Sequence, residues 1–564
     1  MVKDNHRKLG ERDRRKFLKL AGTAGVAGMG LLAGCNTESG DSENTASGEN
    51  DTADTGEGGE KLPTYQYYVG PQSGYPTYYD TVNLAAEQFG ELGLDVEVNV
   101  FEWATIYDRV EGKQNFDFAT WWRPLGVYPG GRLQRMFHSE NTDQGGANFT
   151  GYENSDLDQK LDKQMVTSDD ETRIDLLYDI QETITEACAM NPYTQHPNLM
   201  AYNSDNVGGW IDHLLGYNNY INMTEINVSN PDNLLVGTYR RELDSMNTLT
   251  DQGDANFFQH DLMYDRLVRF NSNLEYAPKY SLATDLSRPD AKTVEYTIRD
   301  HQWHDGEPLT AEDVAFTINF LKDNKVPKFS QQNKHVSEAE VIGDNQIRVN
   351  LSEQLGPVHE IISYEYPIIP KHKWESRGPN PQETFIENPV GSGPLMFDYW
   401  SQGSEISLKA NENHWLTPDY DRRVWRIIPQ TSTIWQLLQQ GEIHYFPFTP
   451  MSKQLSERMN SSSIEVAQSP GRAWWHLSMN TDREGLTDKA LRQGLVHAMP
   501  RTAVVEQILH GFPEPGFNLV SPAYGRFHNP DVPKFEEGIE PAKERLREAG
   551  YEWDDDGNLL KPID

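Results

Sequence analysis

Cysteine is almost absent. Cys35 and Cys188 are the only two in 564 residues, and with Cys35 modified no internal disulfide framework can form. Long hydrophobic runs are missing as well. The most apolar stretch, ending at Gly34, is a Gly/Ala-rich segment with Lys19 near its start, a poor membrane-spanning helix. Positive charge is scarce: Lys+Arg 50 against Asp+Glu 86 gives a formal net charge of -36. That deficit argues against binding nucleic acid or anionic lipid through the folded body. Its self-repulsion acts over a Debye length of about 8 Å at physiological salt and about 3 Å in molar salt, so the acid excess points to a salt-loving host. Catalytic signatures are missing too. There is no HExxH, CxxC or phosphate-cradling glycine loop, and the GSG at Gly391–Gly393 lacks the spacing of a nucleophile elbow.

What is present begins at the N-terminus. Arg14, Arg15, Lys16, Phe17, Leu18 and Lys19 resemble a twin-arginine export signal, and Leu32, Ala33, Gly34 and Cys35 resemble a lipobox. Residues 1–34 are thus expected to be a signal, with Cys35 becoming a lipidated N-terminus on the extracellular face of the membrane. Residues 35–60 follow as an acidic tether, rich in Ser, Thr, Gly, Asn, Asp and Glu, that cannot bury enough surface to fold. As a flexible coil it would span roughly 28 Å. Cys188 sits in an apolar-periodic stretch and reads as a small core residue.

From Lys61 onward short β-rich runs alternate with amphipathic helical stretches, which predicts an α/β class. Tyr65 to Val69, Val96 to Phe101, Leu234 to Tyr239, Val294 to Arg299, Gln346 to Leu351 and Ile406 to Ala410 read as strands. Tyr79 to Leu92, Glu171 to Cys188, Ala311 to Asp323, Thr431 to Gln440, Asp488 to Ala498 and Pro541 to Ala549 read as helices. Thr310 can cap the third of these, with Asp313 favouring its positive end, and Asp305-Gly306 supplies a tight turn before it. The run Asp554, Asp555, Asp556, Gly557 lacks the first and last ligands of a calcium loop and reads as a hairpin turn. His301 and His304, three apart on an extended segment, point to opposite faces and are read as structural, not as a metal pair.

Four segments carry a family resemblance: LATDLSRPDAKTVEYTIRDHQWHDGEPLTAEDVAFTINF (Leu282 to Phe320), NPVGSGPLMFDYWSQGSEISLKANENHW (Asn388 to Trp415), WHLSMNTDREGLTDKALRQGLVHAMPRTAVVEQILHG (Trp475 to Gly511) and AKERLREAGYEWDDDGNLL (Ala542 to Leu560). Together they resemble extracellular solute-binding protein family 5, the dipeptide, oligopeptide and nickel receptors of ABC importers. The resemblance implies a two-lobed, periplasmic-binding-protein-like fold (type II, cluster C) with an extra subdomain, no enzymatic activity and no cofactor. The order is unusual. Residues 90 to 203 look like the family's C-terminal third, and the ordinary family start is matched only at LLVGTYRRELDSMN, Leu234 to Asn247. The chain therefore reads as a circular permutant joined near Asn230 to Asn233. An unrelated N-terminal domain on a truncated receptor, or a fusion of two partial genes, are the alternatives. On the permuted reading lobe two combines 61–199 with 469–564. Lobe one combines 200–265 with 386–468 and carries an inserted subdomain at 266–385, with hinge crossings near Pro197 and Pro470.

The resemblance places the ligand between the lobes, on Trp121, Trp122, Arg123 and Tyr128 of a lobe-two loop, Tyr239 and Arg240 of lobe one, and Trp474, Trp475 and His476 of the strand entering lobe two. Stacked indoles suit apolar or cationic contact, and arginine forks suit carboxylate or phosphate. Peptide receptors of the family hold the peptide amine with an aspartate in that loop, but WWRPLGVYPGG contains no acid. Arg123 or Arg240 is then expected to receive an anionic group, or the pocket a neutral oligosaccharide. Nickel or haem stays open through His476 and His260. The expected partners are a small-molecule or peptide ligand and the permease's transmembrane subunits, contacted by a monomer. A secreted hydrolase or a structural surface protein are the rival classes.

Overall fold

Alternating sequence runs fold where their periodicity puts them. The computed structural model describes residues 59–562 apart from 241, 242, 244, 251, 252, 448 and 459–462. Arg14, Arg15, Cys35 and nearly all of the tether lie outside the described residues. Tyr65–Val69, Leu234–Tyr239 and Gln346–Leu351 are strands, and Ala311–Asp323 and Thr431–Gln440 helices, with the bounds the pattern predicts. The other predicted elements differ by one to three residues at an end, the range over which helix ends fray. At Thr310 the expected cap forms as a capping box with Asp313. The Asp313 carboxylate accepts from the Thr310 amide at 2.9 Å, from its hydroxyl at 3.1 Å and from the Lys371 amide at 3.0 Å, so the acid secures the helix start. The acidic run at Asp554 closes a hairpin between Glu552–Trp553 and Leu559–Leu560, its carboxylate accepting from the Asn558 amide at 2.7 Å.

The architecture is α/β. A twelve-stranded mixed sheet dominates, and a separate four-stranded sheet, in the order Val336–Gly343, Gln346–Leu351, Thr293–Ile298, Ala283–Asp290, packs against the helix Ala311–Asp323. The axis of the large sheet is the pair Met190–Asn203 and Ile464–Met479, antiparallel from Asn203↔Ile464 to Met190↔Ser478. On one side of this axis Met190–Asn203 pairs with Tyr445–Pro447, and that strand with Leu234–Tyr239. On the other, Ile464–Met479 pairs with Phe118–Ala119, followed by Tyr65–Val69 and Val96–Val100.

Residues 65–124 therefore do not form a separate body. They share a sheet with Ile464–Met479 and a core with the C-terminal segment, in which Tyr67, Phe89 and Phe118 pack with Leu477, Leu491, Leu546 and Leu559. Gly494 is required there, since a Cβ would come 2.9 Å from the Leu546 side chain. Cys188 lies in this core, fully buried, its thiol pushed up to about 12 by burial and donating to the Thr185 carbonyl, which suits the inert role expected of it. Among the described residues no helix is long and apolar enough to cross a membrane.

Candidate functional site

The long strand pair is irregular at two places, between Trp475 and His476 and, more widely, between Ser469 and Ala473, where Pro470, Gly471 and Arg472 leave the ladder. Gly471 permits the close approach: a Cβ there would lie 2.1 Å from the His196 carbonyl. Asn198 Nδ2 donates to the Pro470 carbonyl at 3.0 Å and Ser521 Oγ to the Gly471 carbonyl at 2.6 Å, so the bulge is fixed from both sides. Beyond it the short strand Trp122–Pro124 pairs with the same long strand, Pro124 opposite Ala473, Arg123 opposite Trp474 and Trp122 opposite Trp475. This pairing lays the loop 124–128 beside Arg472. The helix Pro129–Phe137 then starts with proline in its first turn and no side-chain cap. Gly130 lets that turn close on Tyr128, since a Cβ would meet Gln164 Oε1 at 2.5 Å and the tyrosine ring at 2.8 Å.

A cavity of about 360 Å³ opens here, walled by loop and helix residues 124–135, by Arg472, and by residues 331–335 and 360–365 of the other side. Arg132, Arg135, Lys334 and Arg472 line it, as do Glu360 and Glu365. Burial raises the carboxyls of both glutamates, against the pull of Arg173 on Glu360 and of Arg266 on Glu365. The acid missing from the loop thus has a counterpart on the opposite wall. Glu360 already faces Arg173 at 3.9 Å, and Arg173 lies 5.7 Å from the centre of the Tyr128 ring.

The residues predicted from sequence separate into two groups. Trp121, Arg123, Trp474, Trp475 and His476 meet in a packed seam. The Trp121 and His476 rings are 5.0 Å apart, those of Trp474 and His476 5.4 Å, and Trp475 stacks on Tyr78 at 4.2 Å. Trp474 is completely buried, its indole donating to the Leu519 carbonyl at 2.6 Å. Burial holds the His476 imidazole neutral. Arg123 is buried in an ion pair with Glu111, its guanidinium over Trp121 and Phe149. Trp122, on the alternate face of its strand, is 40% exposed. Of the predicted set only Tyr128 borders the cavity. Tyr239 packs against Trp425, and its strand is separated from Ile464–Met479 by two others; Arg240 is exposed. His260 is buried, its imidazole pushed down to about 3.

Sequence reasoning passed over Arg132, Arg135, Lys334 and Arg472. The available signal was Arg132 and Arg135 three residues apart on one short helix, a like-charge spacing that costs stability. His301 and His304 do not diverge as expected. The strand at His301–Gln302 is too short to keep them on opposite faces, and their Nε2 atoms reach neighbouring carbonyls, Ser392 at 2.8 Å and Gly393 at 3.0 Å. Asp265, His301 and His414 offer ligand atoms within 4.8 Å of one another, the one such cluster among the described residues. Its groups are already engaged: His414 Nε2 with Asp265 at 3.3 Å, Ser392 Oγ with Asp265 at 2.9 Å, Tyr220 with Asp265 at 3.1 Å. Burial alone would raise the Asp265 carboxyl, but His414 and His301 hold it well below the usual range. The cluster serves as a polar clasp tying the 392 and 414 segments to Asp265.

The cavity at the flank of the longest strand pair places this chain among α/β proteins with a ligand-sized recess. The family model for bacterial extracellular solute-binding proteins, family 5 Middle, matches residues 277–563, and the chain belongs to that family. It is 29% identical over 329 residues to the oligopeptide-binding protein AppA of Bacillus subtilis (strain 168), covering 56% of this chain and 59% of that one. It is 26% identical over 314 residues to the dipeptide-binding protein of Escherichia coli (strain K12), covering 51% and 58%. The matches thus span less than two thirds of these relatives' length. Among solved structures, Bacillus subtilis AppA in complex with a nonapeptide aligns with a TM-score of 0.44 at 26% identity, over 58% of this chain and 67% of that one.

Proposed function

We propose that the protein is the lipid-anchored, extracellular receptor of an ABC importer, which captures a small or peptide-like solute between two lobes and hands it to the permease without chemical change. The observation that carries this reading is the cavity beside the Pro470–Arg472 bulge, where two long strands run side by side and walls from distant parts of the sequence converge. A pair of long strands interrupted at the Pro470–Arg472 bulge suits hinge closure over a ligand. The family membership and the printed names of relatives, which bind oligopeptides and dipeptides, support the solute class.

On this reading residues 61–199 and 469–564 make one lobe, and 200–265 and 386–468 the other, with 266–385 inserted, in circularly permuted order. The strands shared between 65–124 and 464–479 support the permutation. So does the tight turn at Asn230–Asn233, where the Leu234 amide donates to Asn230 Oδ1 at 3.1 Å ahead of the strand Leu234–Tyr239. Cys35 carries the lipid after export by the twin-arginine route, and the net charge of -36 suits a host rich in salt. Native mass spectrometry of gently purified protein tests the receptor claim through a co-purified small solute. A ligand that raises the melting temperature in proportion to its saturation supports it, and a protein that carries no solute and responds to none in a broad panel overturns it.

A further inference from the structure

Pairing is easy in a chain with 86 acids and 50 bases, yet around the cavity four basic side chains form no ion pair with a described residue, although Arg472 is near enough to Glu365 to act on its carboxyl. No side-chain hydrogen bond or ion pair joins Arg132, Arg135, Lys334 or Arg472 to another described residue, although Lys334 and Arg135 are exposed and Arg132 and Arg472 half-buried. Arg132 is the clearest case. Its Nε is enclosed without a partner, and burial, then the nearby charges of Arg123 and Arg135, push its guanidinium down to about 10. Glu111, the carboxylate that opposes this push, is engaged by Arg123. Arg132 and Arg472 come from segments far apart in sequence but converge: both oppose the upward push that burial gives the Tyr524 phenol. The helix Pro129–Phe137, which has no side-chain cap, also borders this cavity through Gly131.

Resting on the receptor reading above, we infer that this cavity selects a small solute bearing two or more carboxylate or phosphate groups, gripped by the guanidinium forks of Arg132 and Arg472 with Arg135 and Lys334 at the mouth. Forked, short-range contacts are the chemistry that works in strong salt, where attraction beyond about 3 Å is screened. The anionic site is therefore the cavity, while Arg123 is committed to Glu111 and Arg240 stands exposed away from the seam.

The test uses the full chain at constant high ionic strength in potassium chloride. Citrate, inorganic phosphate, a neutral oligosaccharide and an uncharged-side-chain tetrapeptide are titrated calorimetrically against the native protein and the variants Arg132→Gln, Arg472→Gln, Arg132→Lys and, as a surface control, Lys453→Gln. The expected result is saturable citrate binding, weakened at least tenfold by Arg132→Gln or Arg472→Gln, less by Arg132→Lys, and not by Lys453→Gln. Melting curves without ligand verify that each variant is folded. Citrate binding that is equal in native protein and both glutamine variants overturns the inference, as does saturation by the tetrapeptide or oligosaccharide with none by citrate; in that last case the receptor reading stands. A protein that binds nothing in the panel and carries no co-purified solute overturns both.

Discussion

The aromatic seam and the basic cavity lie against the same long strand, and both carry the residue types that mark a binding site, yet they behave oppositely. In the seam the large groups are engaged with one another, Trp474 with a carbonyl, Trp475 with a tyrosine and Arg123 with a glutamate, though Arg123 Nε and His476 Nε2 are enclosed without a hydrogen bond. In the cavity the side chains of Arg132 and Arg472 make no hydrogen bond or ion pair with a described residue, and Arg132 Nε is enclosed without a partner. A polar group satisfied inside the protein has little left to offer a ligand, whereas one held ready and unpaired gains most when a ligand arrives. Aromatic content alone marks packing; unmet charge marks recognition.

Breaking the seam should cost the most. Trp474→Ala removes a wholly buried indole and orphans the Leu519 carbonyl, and is expected to lower stability by about 3–5 kcal/mol in denaturant unfolding. A loss under about 1 kcal/mol would show that the seam is loosely packed and open to ligand. Gly471→Ala drives a methyl toward the His196 carbonyl and should cost about 1–3 kcal/mol, with a fall in melting temperature that bound solute partly restores.

Acid should act next, through His196, whose ring lies 4.9 Å from that of Trp475. Burial pushes His196 down to about 3 from its usual 6.5, so between those values the unfolded chain binds more protons and stability falls as the pH drops. Glu360 and Glu365, whose carboxyls are raised, oppose this by taking up protons in the folded state first. Denaturant midpoints measured from pH 8 to pH 5 at fixed salt should decline; a rise would mean the glutamates outweigh the imidazoles. The smallest effect separates the two regions best. Arg132→Gln should leave the unliganded protein within about 0.5 kcal/mol of the native, because it removes an unpaired charge beside Arg123 and Arg135. A large loss would reveal a structural partner and make the cavity another packed seam.

Element positions were legible because period-2 and period-3.6 patterns depend only on neighbours along the chain: Gln346–Leu351 and Ala311–Asp323 lie where the pattern puts them. The loop 121–128 and the strand 474–476, which the resemblance assigned to one ligand, lie side by side, Trp122–Pro124 pairing with residues 473–475. What failed to show was which side chains face which. Trp474 and Trp122 look alike in sequence, yet one is buried and the other 40% exposed, because strand alternation and a covering carbonyl decide their fates. The pairing of His301 and His304 with one segment depended on a strand that ends after two residues.

The sequence by itself determined the α/β class, the family, and the excess of acid, since composition, periodicity and motif spacing are properties of the chain as a line. Only the tertiary structure decided that Arg123 is occupied and Arg132 and Arg472 are not. Whether a charge is paired depends on distances between residues hundreds of positions apart, and those distances exist only once Ile464–Met479 and Trp122–Pro124 lie side by side.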